Sequence, residues 1–268
     1  PGPVADLEQL RGRLAELGPV VVAFSGGVDS GLLAFVAHGV LGAGGSVAAT
    51  AVSPSLAPTE LEDCRRLARS WGLRWVPLDT DEGARAEYVA NGADRCFHCK
   101  TELMDKLVPL ARAEGATVVL GVNVDDLGDH RPGQAAAEQQ GACFPLVDAG
   151  FTKADVRSTA RKLGLEIWDK PAAACLASRV PYGTPVTLGT LGRVAAAEEA
   201  LHRLGYRQLR VRHYGDLARI ELDPADIDRA VAERSAVVAA VRAAGYDYVT
   251  VDLEGFRSGN LNAALAGR

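Results

Sequence analysis

The sequence has no apolar run long enough to cross a bilayer, so a membrane-spanning protein is not expected. Its opening residues, PGPVADLEQLRGRL, lack the charged-then-apolar order of a secretory leader. There is no internal repeat and no heptad pattern. Positive charge is not in excess: 29 Lys and Arg face 34 Asp and Glu, a net charge of −5. General affinity for nucleic acid is therefore disfavoured, although a local basic patch is compatible with that balance. Cysteine is sparse, five in 268 residues. In a chain read as cytoplasmic, such thiols are expected to be reduced, metal-binding or catalytic rather than paired in disulfides.

What is present is enough apolar character for a buried core, 48% of residues, with 24% charged. Residues 4–18 carry apolar side chains at helical spacing and stop at Gly18. PVVVAF is short and wholly apolar, as suits a strand covered on both faces. Helix and strand then alternate: helices over residues 29–40, 57–72, 96–114 and 152–164, strands at SVAATAVS, LRWVPL and ATVVLGV. Thr152 is placed to cap the last of these helices. This alternation predicts a doubly wound parallel α/β sheet. The pattern changes near residue 170. DKPAAACLASRVPYGTPVT has no clear period, and beyond it a helix (188–204), strands QLRVRHY and LARIEL, a helix from 224 to about 244 and strand YDYVTVDL read as a smaller α+β domain. The GD between the first two of these strands suggests a hairpin. The expected organisation is a domain over residues 1–170, a linker over 171–187 and a second domain over 188–268.

The stretch VVVAFSGGVDS joins a strand, a glycine turn and a helix. Amides at a helix start have no intrahelical partner, and the helix dipole favours an anion there. Gly26 and Gly27 allow close backbone approach, and Ser25 and Ser30 add hydroxyls. Asp29 would repel a phosphate unless a cation lay between them, which favours a Mg²⁺-bound polyphosphate. A plain turn with Ser and Asp as caps is the simpler alternative. The pattern is not a Walker loop, which needs Lys before its Ser or Thr. It resembles the PP-loop of the ATP pyrophosphatases, which implies ATP as substrate, AMP and pyrophosphate as products, and adenylation of a substrate oxygen.

DRCFHCK sets Cys96 and Cys99 three residues apart near a helix start, and Cys175 lies in the linker. Three readings stay open on these residues: a redox pair, a zinc site completed by Cys175 and His98, or three thiolates holding an iron–sulfur cluster with one iron open. Cys64 and Cys143 read as buried small apolar residues.

AFSGGVDS, RCFHCK, GVNVDDLGDHRPG, CLASRVPYGTPVT, RVRHYGDLARIE and VDLEGFRSGNLN together resemble the LarE family over residues 20–262. These are ATP-dependent sulfur transferases of nickel-pincer cofactor synthesis. The resemblance implies a small-molecule substrate, pyridinium-3,5-biscarboxylic acid mononucleotide, one carboxylate of which is adenylated and converted to a thiocarboxylate. It implies either a 4Fe-4S cluster on Cys96, Cys99 and Cys175, or Cys175 as a sacrificial sulfur donor; the C-x-x-C pair favours the cluster. It also implies a homo-oligomer built on trimers, with no nucleic-acid or membrane partner. A PP-loop tRNA thiolase is the nearest rival, and the acidic balance weighs against it.

The remaining polar positions follow from place and pattern. Asn123, Asp125 and Asp126 follow the fourth strand, at the edge where α/β ligands bind, though such residues are also ordinary loop caps. Lys100 could neutralise the leaving pyrophosphate, or be a solvated lysine. Arg210 and Arg212 share one face of a strand, with Arg257 beyond the last strand. Guanidinium groups suit phosphate, and the family resemblance implies that these bind the mononucleotide's phosphate, with Ser178 and Arg179 as further substrate contacts. Glu221 offers the strand arginines a plain ion-pair partner. Glu198 and Glu199 read as a charged helix face rather than metal ligands. The whole reading needs the sulfurs of 96, 99 and 175 to meet beside the bound adenylate.

Overall fold

The computed structural model describes residues 6–128, 132–171 and 174–257. In chain order the elements are α1 (Leu7–Leu17), β1 (Val20–Ala23), α2 (Val28–Gly45), β2 (Ser46–Val52), α3 (Pro58–Ser70), β3 (Trp75–Asp79), α4 (Ala86–Val89), α5 (Arg95–Glu114), β4 (Thr117–Leu120), α6 (Pro132–Gln139), α7 (Pro145–Asp148), α8 (Lys153–Lys162), α9 (Leu188–Arg203), β5 (Leu209–Tyr214), β6 (Leu217–Leu222), α10 (Ile227–Ala232), α11 (Arg234–Ala243) and β7 (Tyr248–Val251), with short 3-10 turns between some of them. They form two compact units, one of residues 1–82 and 96–173, the other of residues 83–95 and 174–268.

The first unit is built on a four-stranded, wholly parallel sheet in the order β3-β2-β1-β4. Strand side chains alternate between faces, and β1 shows the result. Val20 and Val22 join a core with α1, α2, α3 and α8, through Leu10, Leu14, Leu32, Leu67 and Val156. Val21 joins the opposite core with Met104, Leu107 and Ala111 of α5. Helices on both faces explain why β1 is apolar throughout, as expected for a doubly wound sheet. Among the described residues α2 is the one helix long and apolar enough, by length and composition, to span a membrane. That departs from the sequence expectation, but its Leu32, Leu33, Val36 and Ala37 are packed in the core. Gly42, at φ 68°, interrupts the helix beyond the expected end near residue 40. Thr152 and Asp155 form a capping box that starts α8. Near the chain's exit from this unit, Lys170 Nζ lies 2.8 Å from both Glu60 and Asp63 of α3.

The second unit has a three-stranded sheet, β5-β6-β7, with β5 and β6 antiparallel and β6 and β7 parallel. The β5–β6 hairpin turns at Gly215–Asp216, as its GD suggested; Gly215 has φ 67°. Leu209, Val211, Ile220 and Leu222 pack with α9, α10 and α11. The helix expected over 224–244 is instead a 3-10 turn followed by α10 and α11. The stretch around Cys175, read as lacking a clear period, contains a 3-10 turn at Leu176–Arg179.

Candidate functional site

In the first unit, β1 continues as Phe24, whose N–H donates to Ala49 O at 2.7 Å, and the chain turns at Ser25–Gly27 into α2. Gly26 has φ 69°, and a Cβ there would lie 2.9 Å from Cys64 Sγ. Only glycine meets both demands. The turn is closed by Ser30, whose Oγ accepts from Ser25 N at 3.1 Å and lies 3.0 Å from Ser25 Oγ. The amides of the first turn of α2 have no intrahelical acceptors, so the turn is an anion site in form.

The wall beside this turn comes from the end of β4, where the strand order reverses between β1 and β4. A Cβ at Gly121 would lie 2.7 Å from Ser30 N and 2.8 Å from Asp29 C, so the two backbones touch here. Asn123, 1% exposed, donates from Nδ2 to Asp29 Oδ1 at 3.0 Å. Its Oδ1 accepts from Asp125 N at 3.0 Å and Asp126 N at 3.3 Å, which shapes the following loop. The second oxygen of Asp29 is ion-paired with Lys153 Nζ, and Lys153 N donates to Asp125 Oδ2 at 2.8 Å. The structure thus gathers Ser25, Gly26, Gly27, Asp29, Ser30, Asn123, Asp125 and Asp126 at one sheet edge. Lys153 is the member that sequence reasoning missed. A Lys just inside a capped helix carries no distinguishing signal, because its value lies in reaching Asp29 across 124 residues.

The thiols have distinct settings. Cys64 is fully buried, and burial pushes its thiol up to about 11, as befits a core residue. Cys143 is half-buried. Cys96 is exposed and Cys99 half-buried in the first turn of α5, one helical turn apart on the same face. Lys100 beside them is half-buried rather than solvated. Burial pulls its ammonium pKa down, while the Cys99 and Cys96 thiols pull it up. Among the described residues, no group of three or more His, Cys, Asp or Glu side chains is placed to hold a metal ion.

In the second unit Cys175 is exposed, but its backbone is pinned. Arg179 Nη1 donates to Ala174 O at 2.5 Å and Cys175 O at 3.1 Å. Its Nε and Nη2 form a fork to Glu198 at 2.9 and 3.0 Å. Glu198 also accepts from Val211 N at 2.9 Å. It is therefore a buried structural carboxylate rather than part of a charged helix face, whereas Glu199 does lie on that face, paired with Arg203. Arg212, 1% exposed, donates to Ser178 O at 2.8 Å and to Glu221 at 2.7 Å, and Arg219 takes the other Glu221 oxygen at 3.0 Å. Arg210 is buried on the same strand face, with its guanidinium 4.7 Å from the Phe256 ring centroid. Burial first, then Arg179 and Arg212, lower its pKa to about 10, against the opposing pull of Glu198 and Glu221. Positive charge is in excess in this cluster. Arg257 is exposed and ion-paired with Glu254.

A second anchor holds the same segment. Asn91 is fully buried with φ 56°, and its Nδ2 donates to Pro181 O and Thr184 O, both at 2.8 Å. Its Oδ1 accepts from Arg95 Nη1 at 2.6 Å, and that same nitrogen donates to Ala177 O at 2.9 Å. Neither residue stood out in the sequence, because the partners lie 82 to 93 residues away.

No protein-family model matches the chain. It is 49% identical over 262 residues to an uncharacterized protein of Synechocystis, with 97% of each chain covered. It is 26% identical over 240 residues to an uncharacterized protein of Methanocaldococcus jannaschii, covering 89% of this chain and 91% of that one. It is 37% identical over 253 residues to the pyridinium-3,5-bisthiocarboxylic acid mononucleotide synthase of Lactiplantibacillus plantarum, covering 94% of this chain and 92% of that one. Such identity, sustained across nearly the full length of both chains, establishes that this protein belongs to the LarE family of pyridinium-3,5-bisthiocarboxylic acid mononucleotide synthases.

Proposed function

We propose that this protein is an ATP-dependent sulfur transferase that converts a carboxylate of pyridinium-3,5-biscarboxylic acid mononucleotide to a thiocarboxylate for nickel-pincer cofactor synthesis. ATP·Mg²⁺ binds at Ser25–Ser30, where the helix-start amides receive phosphate oxygens. Asp29 serves the cation, and Lys153 balances Asp29 when the nucleotide is absent. A substrate carboxylate oxygen attacks the α-phosphorus, its bond to the bridging oxygen breaks, and pyrophosphate leaves with Lys100 neutralising its charge. The adenylated carbonyl is then open to a sulfur nucleophile, and AMP departs. Arg210, Arg212 and Arg257 supply the positive field for the mononucleotide's phosphate, and Ser178 and Arg179 line the same segment.

The observation that carries the sulfur chemistry is the Arg95 anchor. Arg95 immediately precedes Cys96, and its guanidinium donates to the carbonyl of Ala177, two residues after Cys175. Two thiols one helical turn apart and a third on a pinned, exposed loop form a donor set suited to a 4Fe-4S cluster. Cys96, Cys99 and Cys175 would hold it. Such a group supplies, through an iron without a protein ligand, a site for exchangeable sulfide. The exposure of Cys175 favours one second reading: its own sulfur attacks the adenylate, AMP leaves, and β-elimination yields the thiocarboxylate and dehydroalanine.

The test is incubation with ATP, Mg²⁺ and the biscarboxylic mononucleotide. AMP and pyrophosphate should form in step with thiocarboxylate, and only when the substrate is present. ATP cleavage indifferent to the substrate, or thiolation of tRNA in its place, would overturn the proposal.

A further inference from the structure

The second unit carries a cleft of about 290 Å³ that the proposed chemistry does not use. Its walls are the first turns of α9 (Thr187, Thr190 and Arg193), His213 near the end of β5, and the Gly215–Asp216 hairpin turn. Its volume sits at the foot of the ~300–1,000 Å³ range of small-molecule pockets, the size for one anionic head group rather than a whole dinucleotide.

The donors in it converge. Thr187 caps α9 by accepting from Thr190 N at 3.1 Å, and the two hydroxyls lie 2.9 Å apart. The Leu188 and Gly189 amides at the start of this 16-residue helix have no hydrogen bond among the described residues. His213 is 6% exposed. Its Nδ1 lies 3.1 Å from the Tyr246 hydroxyl, which leaves Nε2 as the ring nitrogen without a protein partner among the described residues. Arg193 rests against the backbone at Gly245, where a Cβ would lie 3.3 Å from its Nε. Among the described residues, a loose contact of 3.7 Å to the largely exposed Asp216 is the one ion pair of its guanidinium. Helix-start amides, a hydroxyl pair, a guanidinium and a buried imidazole all present hydrogens, and the single acid is at the rim.

We propose that this cleft binds a phosphate-bearing anion, held by the amino terminus of α9, Arg193 and Nε2 of His213. The site is independent of the sulfur-transfer reading and stands or falls alone. Two further observations agree with it. Burial pushes the Tyr246 phenol up to about 12, so its hydroxyl stays protonated and can donate to Nδ1, placing the proton of the neutral ring on Nε2. In the empty cleft, burial and then Arg193 lower the His213 pKa, against the pull of Asp216. A bound anion reverses that balance by favouring the imidazolium. Affinity therefore rises as pH falls, with Arg193, Asp216 and Tyr246 the charged and titratable groups around the ring.

The experiment is nuclear magnetic resonance of the full chain with ¹⁵N-labelled histidine, titrated with inorganic phosphate. Sulfate serves as an anion that does not itself titrate near neutrality. The His213 ring is assigned by His213→Gln or, if that variant fails to fold, by its contact with Tyr246. The expected result is a saturable His213 shift with both anions, tightening from pH 8 to pH 6, and weakened ten-fold or more in Arg193→Gln. A His213 ring that does not respond, or an equal response in Arg193→Gln, would overturn the proposal. Because the readout is the His213 ring, phosphate bound at the glycine turn does not count in its favour.

Discussion

Replacing Asn91 with alanine removes the side chain that ties three carbonyl groups and an arginine together in the second unit. The wild-type side chain donates to Pro181 O and Thr184 O at 2.8 Å and more weakly to Val180 O at 3.4 Å, and accepts from Arg95 at 2.6 Å. It is fully buried, so water does not readily replace these partners. Pro181 O keeps a bond from Thr184 N at 3.0 Å, so the change strands Thr184 O and one guanidinium N–H; at about 1–3 kcal/mol for each buried group left unsatisfied, the two sum to roughly 2–6 kcal/mol. Alanine at φ 56° adds about 1 kcal/mol, because its Cβ resists the left-handed region. Asn91→Gly loses the same hydrogen bonds without that conformational cost, and should be the milder substitution by about 1 kcal/mol. Urea unfolding followed by far-ultraviolet circular dichroism measures both. Tryptophan fluorescence supplies a separate reporter of the first unit, since Trp71, Trp75 and Trp168 all lie there. Asn91→Ala within about 1 kcal/mol of wild type, or Asn91→Gly the more damaged of the two, would refute the reasoning.

Three further outcomes test the site. Gly121→Ala should raise the KM for ATP, read in pyrophosphate release, because its Cβ would fall 2.7 Å from Ser30 N and push the glycine turn away from β4. Lys153→Met should lower the KM for ATP·Mg²⁺, because it removes the cation that pairs with Asp29 when the nucleotide is absent, while shifting stability by no more than about 1 kcal/mol, since the lysine is partly exposed. Glu198→Gln should destabilise by roughly 3–5 kcal/mol in urea, because it leaves the buried Arg179 guanidinium without its counter-charge. Replacing Glu198 and Arg179 together with apolar residues should cost less than the single change.

The α/β class, the strand positions of the first unit and the glycine turn were legible in the sequence because each rests on local pattern: wholly apolar strands, helical spacing, and a Ser-Gly-Gly turn between them. The hairpin at Gly215–Asp216 was legible for the same reason. What escaped were contacts that reach across the chain. Lys153 meets Asp29 from a helix that local pattern marks only by its Thr152 cap, and Asn91 and Arg95 serve carbonyls more than 80 residues downstream. Glu198 and Glu199 are neighbours of identical type. One turns inward to Arg179 and the other outward to Arg203, a difference set by packing against β5 and invisible to composition. The break between α10 and α11 was likewise hidden, because residues 225–244 are alanine-rich and contain no Gly or Pro, so they read as one helix.

The central claim is that Cys96, Cys99 and Cys175 act as one sulfur-handling set, and metal analysis after anaerobic purification tests it most directly. The account predicts about four irons and as many acid-labile sulfides per chain, lost in Cys96→Ser, Cys99→Ser and Cys175→Ser alike, with the wild-type mass unchanged after turnover. Protein that carries zinc or no metal, and forms thiocarboxylate while all three cysteines can be replaced without effect, would contradict it.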